Sequence, residues 1–382
     1  MTTIKDSVHD YIELDPTAEA LLDTAAMQRL RTIRQLSTVQ LVYPSANHTR
    51  FEHSLGVYHL ASRAVDRLEV DEPLAERLRA AALVHDVGHG PFGHQTEAAI
   101  ERHIGRHHDE IEWLLADSEI GAVLENHGLE PEAVAATVDG RGPLGELVSG
   151  SLDVDRMDYL VRDAHHTGVP YGTIDHARLL YALRIVDGEL ALEAGNVATA
   201  ESALIARTLM NATVYRHHVS RIAGAMLDRA SERLLADGHV NPDRFARLTD
   251  AELLATFADY EPTADMATRI RERDLYKRAI WRADRTFPTD SPASSTTEHA
   301  LSSVKSPISQ VSIHRQLSST APRNRVRPNL APDSLSTANC SDSRSARRSS
   351  PVSTPVLEKF GDSVSMRHRP SSTTFARQQR TS

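Results

Sequence analysis

Three histidines and one aspartate are concentrated in the ten residues HDVGHGPFGH at positions 85–94, directly after an apolar run. Imidazole nitrogens and carboxylate oxygens are ligands that divalent transition metals take in proteins. The chain has one cysteine, Cys340, which excludes a multi-cysteine zinc or iron–sulfur site and an internal disulfide framework. The segment therefore indicates a metal-dependent reaction with His and Asp ligands.

Two predicted helices before this segment position two candidate histidine ligands. Its glycines and proline indicate that a helix ends at His85 and that a tight loop follows. His85 ends the apolar face of that predicted helix, Leu74 to Val84, and His53 begins the apolar face of another, Glu52 to Leu68. One buried histidine is more often a core residue than a ligand. Two that end separate apolar faces favour a shared divalent ion.

Carboxylates come from a third predicted helix, Asp155 to His165. The segment places Asp153, Asp155 and Asp158 within six residues, with Arg156 between them and Arg162 four residues after Asp158. A pocket for a metal and a phosphate needs both signs of charge. The alternative is the solvated polar face of an ordinary surface helix.

The loop after residue 85 offers further polar side chains. Adjacent His85 and Asp86 are able to bind one metal together or to bridge two metals. His89 and His94 then lie beside the ligands, although loop-capping hydrogen bonds are an alternative role for them.

Charge divides the chain near residue 287. Residues 287–382 carry 13 Lys+Arg against 6 Asp+Glu, a net charge of +7, whereas residues 1–286 carry 30 against 46, a net charge of −16. The second segment is rich in Ser, Pro and Arg without an apolar period, so we expect a disordered basic tail or a frameshifted reading. A solvated tail is the simpler interpretation, and weak nucleic-acid contact is the alternative.

Residues 1–286 are acidic and contain only two lysines, Lys5 and Lys277. Such a surface is typical of a high-salt cytoplasm, as in a halophilic archaeon, although high genomic GC content also favours Arg over Lys. The first residues show no signal peptide, and no run approaches the roughly 20 apolar residues of a membrane span. We therefore expect a soluble, cytoplasmic protein.

Helical periodicity predicts an all-α fold with a few short strands. The predicted helices are Glu19 to Leu36, Glu52 to Leu68, Leu74 to Val84, Thr96 to His103, Asp109 to Leu115, Asp155 to His165 and Glu201 to Leu235. Strands are expected at Tyr11 to Leu14 and in the hairpin ALRIVDGELALE, whose turn is Asp187-Gly188.

Four segments surround the candidate ligands in order: QRLRTIRQL (28–36), HTRFEHSLGVYHLA (48–61), HDVGHGPFGH (85–94) and DVDRMDYLVRDAHHTG (153–168). They resemble the HD-domain metal-dependent phosphohydrolases. Within that family, they are most similar to the SAM-and-HD-domain deoxynucleoside triphosphate triphosphohydrolases and the dGTPase-like enzymes. The resemblance extends from about Tyr11 to Lys277 and implies a mainly helical HD phosphohydrolase domain over residues 1–286.

The resemblance implies that one divalent metal binds to four residues, namely His53, His85, Asp86 and Asp155. Mn²⁺, Fe²⁺, Ni²⁺, Co²⁺ and Zn²⁺ are all compatible with His and Asp ligation. Mg²⁺ is expected to accompany the nucleotide substrate.

The resemblance also implies a catalytic group. His89 and His94 match loop histidines that face the α-phosphate, and His108 matches a catalytic histidine with Glu97 as its acidic partner. The neighbouring His107 offers an alternative register for the catalytic histidine.

A substrate pocket follows from the same resemblance, with arginines on phosphate and Tyr159 and Asp163 around the deoxyribose. Its residues are Gln35, Arg50, Arg156, Tyr159, Asp163, Arg207, Tyr215 and His217. A capping or surface role is the alternative for Arg50. Two positions depart from the family: Asn211 stands where a histidine is expected, and His218 where lysine is common.

Asp23, Gln28 and Arg31 resemble a regulatory-nucleotide pocket that some members form at subunit interfaces. The alternative is that QRLR belongs to the first core helix. Because oligomers are common in the family, a homo-oligomer is the expected assembly.

The reaction implied by the resemblance is hydrolysis of a deoxynucleoside triphosphate at the α-phosphorus, which yields deoxynucleoside and inorganic triphosphate. The alternatives are another HD-type reaction, by a 5′-nucleotidase or a cyclic-nucleotide phosphodiesterase, and a non-catalytic nucleotide- or nucleic-acid-binding module.

Overall fold

The computed structural model describes residues 2–278; the predicted boundary at residue 287 and the basic segment after it lie outside the described residues. Helices dominate the described part, which confirms the all-α prediction. They are α1 (Pro16–Leu22), α2 (Ala25–Arg29), α3 (Arg50–Leu68), α4 (Glu72–Val84), α5 (His94–Ile104), α6 (Glu112–Leu115), α7 (Glu119–Asn126), α8 (Pro131–Val138), α9 (Val154–Thr167), α10 (His176–Ala182), α11 (Val197–Met210), α12 (His218–Ala236), α13 (Pro242–Ala246), α14 (Asp250–Asp259) and α15 (Glu261–Arg271). Within residues 2–278, no helix combines the length and the apolar character that crossing a membrane requires.

Four short strands form two antiparallel hairpins in the described part; the sequence predicts the second hairpin, whereas of the first it predicts only one strand, near β2. The strands are β1 (Thr3–Asp6), β2 (Asp10–Glu13), β3 (Leu183–Val186) and β4 (Glu189–Leu192). At the turn between β3 and β4, Asp187 has φ 55° and Gly188 has φ 83°. Two consecutive positive φ angles are the geometry that a two-residue hairpin turn requires, so the predicted turn is confirmed.

Two long predicted helices are wrong as continuous elements. The first stops at Leu22, because Thr24 adopts an extended backbone (ψ 147°) and its hydroxyl donates to the Leu21 carbonyl (2.7 Å). The second is interrupted by a π-helical turn, Asn211–Tyr215, and by His217, which has ψ 133° and caps α12. Periodicity alone shows neither break, since the apolar positions continue across both.

Capping fixes the first turn of α3, the central helix of the site. Thr49 and Glu52 form a capping box in which the Glu52 carboxylate accepts from the Thr49 N–H at 2.6 Å. Such a box satisfies orphan N–H groups and defines where the helix begins. Arg50 and His53 consequently leave the helix from a defined first turn.

Two hydrophobic cores lie on either side of the loop at residues 85–94. The larger includes residues of α3, α4, α8 and α9, and the smaller includes residues of α5, α12, α14 and α15. Val87 packs in the larger core, and Phe92 packs in the smaller one. The loop is therefore anchored near both ends, which restrains the polar side chains between these two residues.

Candidate active site and metal centre

The four predicted metal ligands converge from α3, the end of α4 and the first turn of α9. His53 Nε2 lies 3.3 Å from His85 Nε2 and 2.9 Å from an Asp155 carboxylate oxygen. His85 Nε2 lies 3.4 Å from Asp86 Oδ1 and 3.9 Å from Asp155 Oδ1. Ligand atoms each about 2.0–2.2 Å from one ion are roughly 3–4.4 Å apart. Three of the residues, His53, His85 and Asp86, place one ligand atom each within 4.8 Å of the others and fit one divalent metal, and Asp155 faces both histidines from α9.

Hydrogen bonds orient both imidazoles for ligation. His85 Nδ1 lies 2.8 Å from the Ala82 carbonyl, so Nδ1 donates and the Nε2 lone pair faces the other ligands. His53 Nδ1 lies 2.7 Å from Asp158 Oδ2 in the same arrangement. A carboxylate or carbonyl behind a histidine is the usual support of a metal ligand. Geometry and donor chemistry agree that these residues are able to hold a metal.

The electrostatics of the set favour a cation. Burial opposes protonation of His53, but its hydrogen bonds to Asp155 and Asp158 raise its pKa to about 10. The pKa of Asp86 would rise on burial, yet the Arg50 guanidinium holds it well below its usual range. A divalent ion therefore meets ionised carboxylates and competes with a proton at His53 Nε2.

Behind His53 lies a buried ionic network that sequence reasoning did not assign to the site. Arg162 makes two hydrogen bonds to Asp158 and two to Asp6 of β1, and His9 Nε2 lies 2.6 Å from Asp158 Oδ1. The polar face of α9 is thus turned inward and is not solvated. The acidic cluster pointed to Asp158, whereas no local signal connects Asp6 or His9 to residues about 150 positions away.

Arg50 is buried against the metal-ligand set and is neither a cap nor a surface residue. Its side chain is 2% exposed, and Nη1 donates to Asp86 Oδ2 at 2.8 Å. Its Nε is buried and finds no hydrogen-bond partner among the described residues. His89 is also buried, with Nε2 3.3 Å from Asp86 Oδ1 and Nδ1 unpaired in the same part of the chain. Arg50 Nε and His89 Nδ1 are therefore both available to bind a polar ligand.

The predicted catalytic histidines stand together beside this arginine. The His89 and His108 rings stack with centroids 3.8 Å apart, and His94 Nδ1 lies 2.8 Å from a Glu97 carboxylate oxygen. Glu97 also contacts His108 Nδ1. Burial lowers the pKa of His108, but hydrogen bonds to Asp109 and Glu97 raise it to about 9. His108 therefore carries a proton at neutral pH.

Gly88 permits the close approach that brings His108 to the loop. A Cβ atom at position 88 would lie 2.0 Å from the His108 carbonyl oxygen. Only glycine leaves room for the backbone there. This contact places the segment between α5 and α6 against the loop at 85–94.

A second polar group surrounds Asp163 on α9. Tyr215 donates its hydroxyl to Asp163 Oδ2 at 2.8 Å, and His48 Nε2 lies 2.8 Å from Asp163 Oδ1. The Tyr159 and Tyr215 rings meet edge to face, with centroids 6.1 Å apart. His48 was missed by the sequence reasoning, although it opens the segment HTRFEHS. The π-helical turn before Tyr215 brings its hydroxyl to Asp163.

The remaining predicted substrate residues occupy separate positions. Arg156 contacts Asp153 at 3.2 Å and the Gly150 carbonyl, and it lines a cavity together with Arg207. Gln35 has a buried Oε1 without a partner among residues 2–278. His217 lies against Tyr43, with ring centroids 6.2 Å apart.

The three predicted regulatory residues are all exposed. Arg31 Nε donates to Gln28 Oε1 at 2.8 Å and its guanidinium lies over the Phe51 ring at 3.6 Å. Asp23 caps the end of α1. Between Gln28 and Arg31, Arg29 donates to the His89 carbonyl at 2.9 Å, so this segment abuts the loop at residues 85–94.

Two family models and several known proteins match this chain. Residues 50–163 match the HD domain, and residues 174–314 match the HD associated region. An uncharacterized protein of Methanocaldococcus jannaschii is 36% identical over 284 residues, which cover 73% of this chain and 60% of that protein. The deoxynucleoside triphosphate triphosphohydrolase SAMHD1 of Homo sapiens is 29% identical over 358 residues, covering 76% of this chain and 56% of that enzyme.

Solved structures give the same result. A phosphohydrolase from Bacteroides thetaiotaomicron superposes with a TM-score of 0.64 at 30% identity, covering 72% of this chain and 77% of that one. A hypothetical protein from Aquifex aeolicus has a TM-score of 0.64 at 33% identity, covering 71% and 75%. This chain spans about six-tenths or less of the length of the curated relatives described above. Its matches to the HD domain and to these homologues show that the chain belongs to the HD-domain phosphohydrolase family.

Proposed function

We propose that the chain hydrolyses deoxynucleoside triphosphates to deoxynucleoside and inorganic triphosphate. One observation carries the proposal: Arg50 Nε and His89 Nδ1 are buried without partners in the described part, on side chains that both contact the Asp86 carboxylate. Buried polar atoms are nearly always paired, so two such atoms beside one predicted metal ligand point to a polar ligand. A nucleotide offers phosphate oxygens to the arginine and polar edges of sugar and base to Gln35, whose buried Oε1 also has no partner among residues 2–278.

Each residue of the site has a separate role in the proposed hydrolysis. A divalent ion, when bound, supplies a Lewis acid and makes water a stronger nucleophile near neutral pH. Arg50 binds the non-bridging oxygens of the α-phosphate and stabilises their growing charge. Water oxygen bonds to the α-phosphorus as the bond to O5′ breaks. Glu97 at Nδ1 and Asp109 at Nε2 keep His108 protonated, and a proton of this imidazolium passes to O5′.

The Asp163 group supports a deoxyribose specificity. The Tyr215 hydroxyl donates its hydrogen to Asp163. The lone pairs of the Tyr215 oxygen are therefore left to accept from a sugar hydroxyl. The mostly buried Tyr159 ring beside it limits the space at the sugar. The predicted contacts of Arg156, Arg207 and His217 with the nucleotide and of His94 with the α-phosphate belong to this proposal.

Names of homologues support the substrate class. The human relative and its Dictyostelium discoideum homologue, which is 29% identical, are both named as deoxynucleoside triphosphate triphosphohydrolases. We further propose that the chain acts as a cytoplasmic homo-oligomer and that Asp23, Gln28 and Arg31 bind an activating nucleotide. Light scattering with and without GTP measures the assembly.

The deciding experiment incubates the full chain with Mn²⁺ in high salt and with each dNTP or NTP, and then separates the products by ion-exchange chromatography. Inorganic triphosphate together with deoxynucleoside supports the proposal. Product from dNTPs only after GTP is added supports the activating pocket as well. Hydrolysis of monophosphates or cyclic nucleotides alone would replace the proposal with another HD-type reaction. Nucleotide binding without turnover under any metal would favour the non-catalytic module.

A further inference from the structure

A second group of potential metal ligands lies on the segment between α5 and α6, outside the set that contains His53. Two adjacent imidazoles, those of His107 and His108, are enclosed by the carboxylates of Glu97 and Asp109. His107 Nε2 lies 3.0 Å from Glu97 Oε1, and His107 Nδ1 lies 3.2 Å from Asp109 Oδ2. His108 Nε2 lies 2.9 Å from Asp109 Oδ1, and His108 Nδ1 contacts Glu97 Oε1. All four ring nitrogens therefore face carboxylate oxygens.

Protons and a metal ion compete for these nitrogens. His107 Nδ1 also accepts from the Asp109 backbone N–H at 3.5 Å, so a neutral His107 is able to donate through Nε2 to Glu97. The two rings have centroids 4.2 Å apart, which favours at most one imidazolium in the pair. A divalent cation that displaces this proton meets two carboxylate charges and imidazole lone pairs in one group.

We propose that Glu97, His107 and His108 form a second, inhibitory metal site that takes a borderline divalent cation such as Zn²⁺. One ligand atom from each of these residues lies within 4.8 Å of the others, and Asp109 stands close enough to complete the set. Two imidazoles with carboxylates favour Zn²⁺ over Mg²⁺, which prefers oxygen ligands. The site is open to the ion, since His107 and Asp109 are 44% and 46% exposed.

Inhibition follows from the position of His108 and rests on the proposed function. A metal ion on a His108 nitrogen takes the lone pair that otherwise holds the transferable proton. The departing O5′ then lacks its acid, and the charge of Glu97 is neutralised. His107 has no role in the proposed reaction. Its side chain nevertheless supplies one ligand of the proposed second site.

Zn²⁺ binding to the second site is measured in a variant that lacks the first metal centre. In full-length Asp155→Asn protein, equilibrium dialysis against Zn²⁺ is expected to give one ion per chain. Adding His107→Gln is expected to weaken that binding at least tenfold, whereas His103→Gln, a change on α5 where His103 contacts Glu232, leaves it unchanged. Should Asp155→Asn disrupt folding, the wild-type chain serves instead, and His107→Gln lowers the stoichiometry from two ions to one. Binding that is absent in Asp155→Asn, or indifferent to His107→Gln, overturns the proposal.

The activity test is separate. In Mn²⁺-loaded wild-type protein, added Zn²⁺ is expected to inhibit triphosphate release, and His107→Gln raises the inhibitory concentration at least tenfold, each protein being compared with its own turnover in Mn²⁺ alone. Equal inhibition of both proteins contradicts the inhibitory role. If Zn²⁺ binds as expected but no triphosphate forms under any condition, the second site stands and the proposed reaction fails.

Discussion

The Asp158 carboxylate holds His53 from behind: Asp158 Oδ2 lies 2.7 Å from His53 Nδ1 and accepts from Arg162 Nε at 2.8 Å. Both side chains are almost completely buried. The carboxylate fixes the imidazole tautomer, and the arginine keeps that carboxylate ionised. The orientation of His53, a predicted metal ligand, thus depends on Asp158, which lies outside the predicted ligand set.

Replacing this support is expected to weaken metal binding. Asp158→Asn keeps the size of the side chain but loses the charge that His53 and Arg162 share, so we expect metal affinity to fall by about 10–100-fold. Competition against a chelator measures the affinity. Asp228→Asn is the matched control, because Asp228 pairs with Arg102 at the partly exposed surface. Equal affinity of the two variants would contradict the role of Asp158.

Loss of a direct ligand is expected to be more severe. Asp155→Asn removes one anionic ligand next to His53 and His85, so the purified chain is expected to contain no bound metal at the first centre. Because the Asp155 side chain is 34% exposed, its helix is expected to fold normally. Metal content by atomic spectroscopy, with circular dichroism for folding, checks both statements. Retained metal and wild-type turnover would refute the ligand assignment. The exposed Asp259→Asn change serves as control.

A glycine of α3 leaves the space that the network behind His53 occupies. A Cβ at Gly56 would lie 1.9 Å from Asp158 Oδ1 and 2.4 Å from Arg162 Nη2. Gly56→Ala is therefore expected to lower the free energy of unfolding by about 1–3 kcal/mol or more. Urea unfolding measures the change. Gly195→Ala is the control, since no atom lies within 4 Å of its added Cβ, and equal midpoints would count against the crowding.

The protonated state of His108 predicts that kcat/KM falls at alkaline pH. Its pKa of about 9 lies above the ordinary value, so the protonated acid persists through neutral pH, and kcat/KM should fall as pH rises through about 9. The same raised pKa stabilises the fold fully below pH about 6.5, and this contribution is lost as pH rises through 9. Asp109→Asn removes one carboxylate that raises the pKa, so the fall in kcat/KM should move to lower pH. An unmoved profile would exclude His108 as the titrating acid.

His48 is expected to position Asp163 for the sugar. His48→Phe retains a buried ring but removes the nitrogen that faces Asp163 Oδ1 at 2.8 Å. Loss of one net hydrogen bond corresponds to about 1–1.5 kcal/mol, so kcat/KM for dNTPs should fall about tenfold. His166→Phe is matched, because the His166 ring stacks on His48 at 4.4 Å and its Nε2 lies 3.3 Å from Ser7 Oγ. Similar kinetics for the two variants would argue against positioning by His48.

The sequence by itself determined the class of the fold and predicted which His and Asp side chains converge on the candidate metal centre. In α3 and α4, apolar residues recur about every 3.6 positions and form one apolar face on each helix. His53 begins the face on α3, and His85 ends the face on α4. The sequence shows this spacing because burial of one helix face imposes it locally. The Asp187-Gly188 turn is equally local, since two residues supply the positive φ angles. Chain order and segment composition were enough to indicate which side chains form the centre.

Tertiary structure alone decided which residues support that centre. Asp6 and His9 reach Asp158 through the packing of an N-terminal hairpin against α9, a relationship between residues about 150 positions apart. The breaks at Thr24 and His217 depend on side-chain to backbone hydrogen bonds, which compete with the helix without changing its apolar period. Long-range pairing and local backbone competition leave no periodic trace, so only the folded chain shows them.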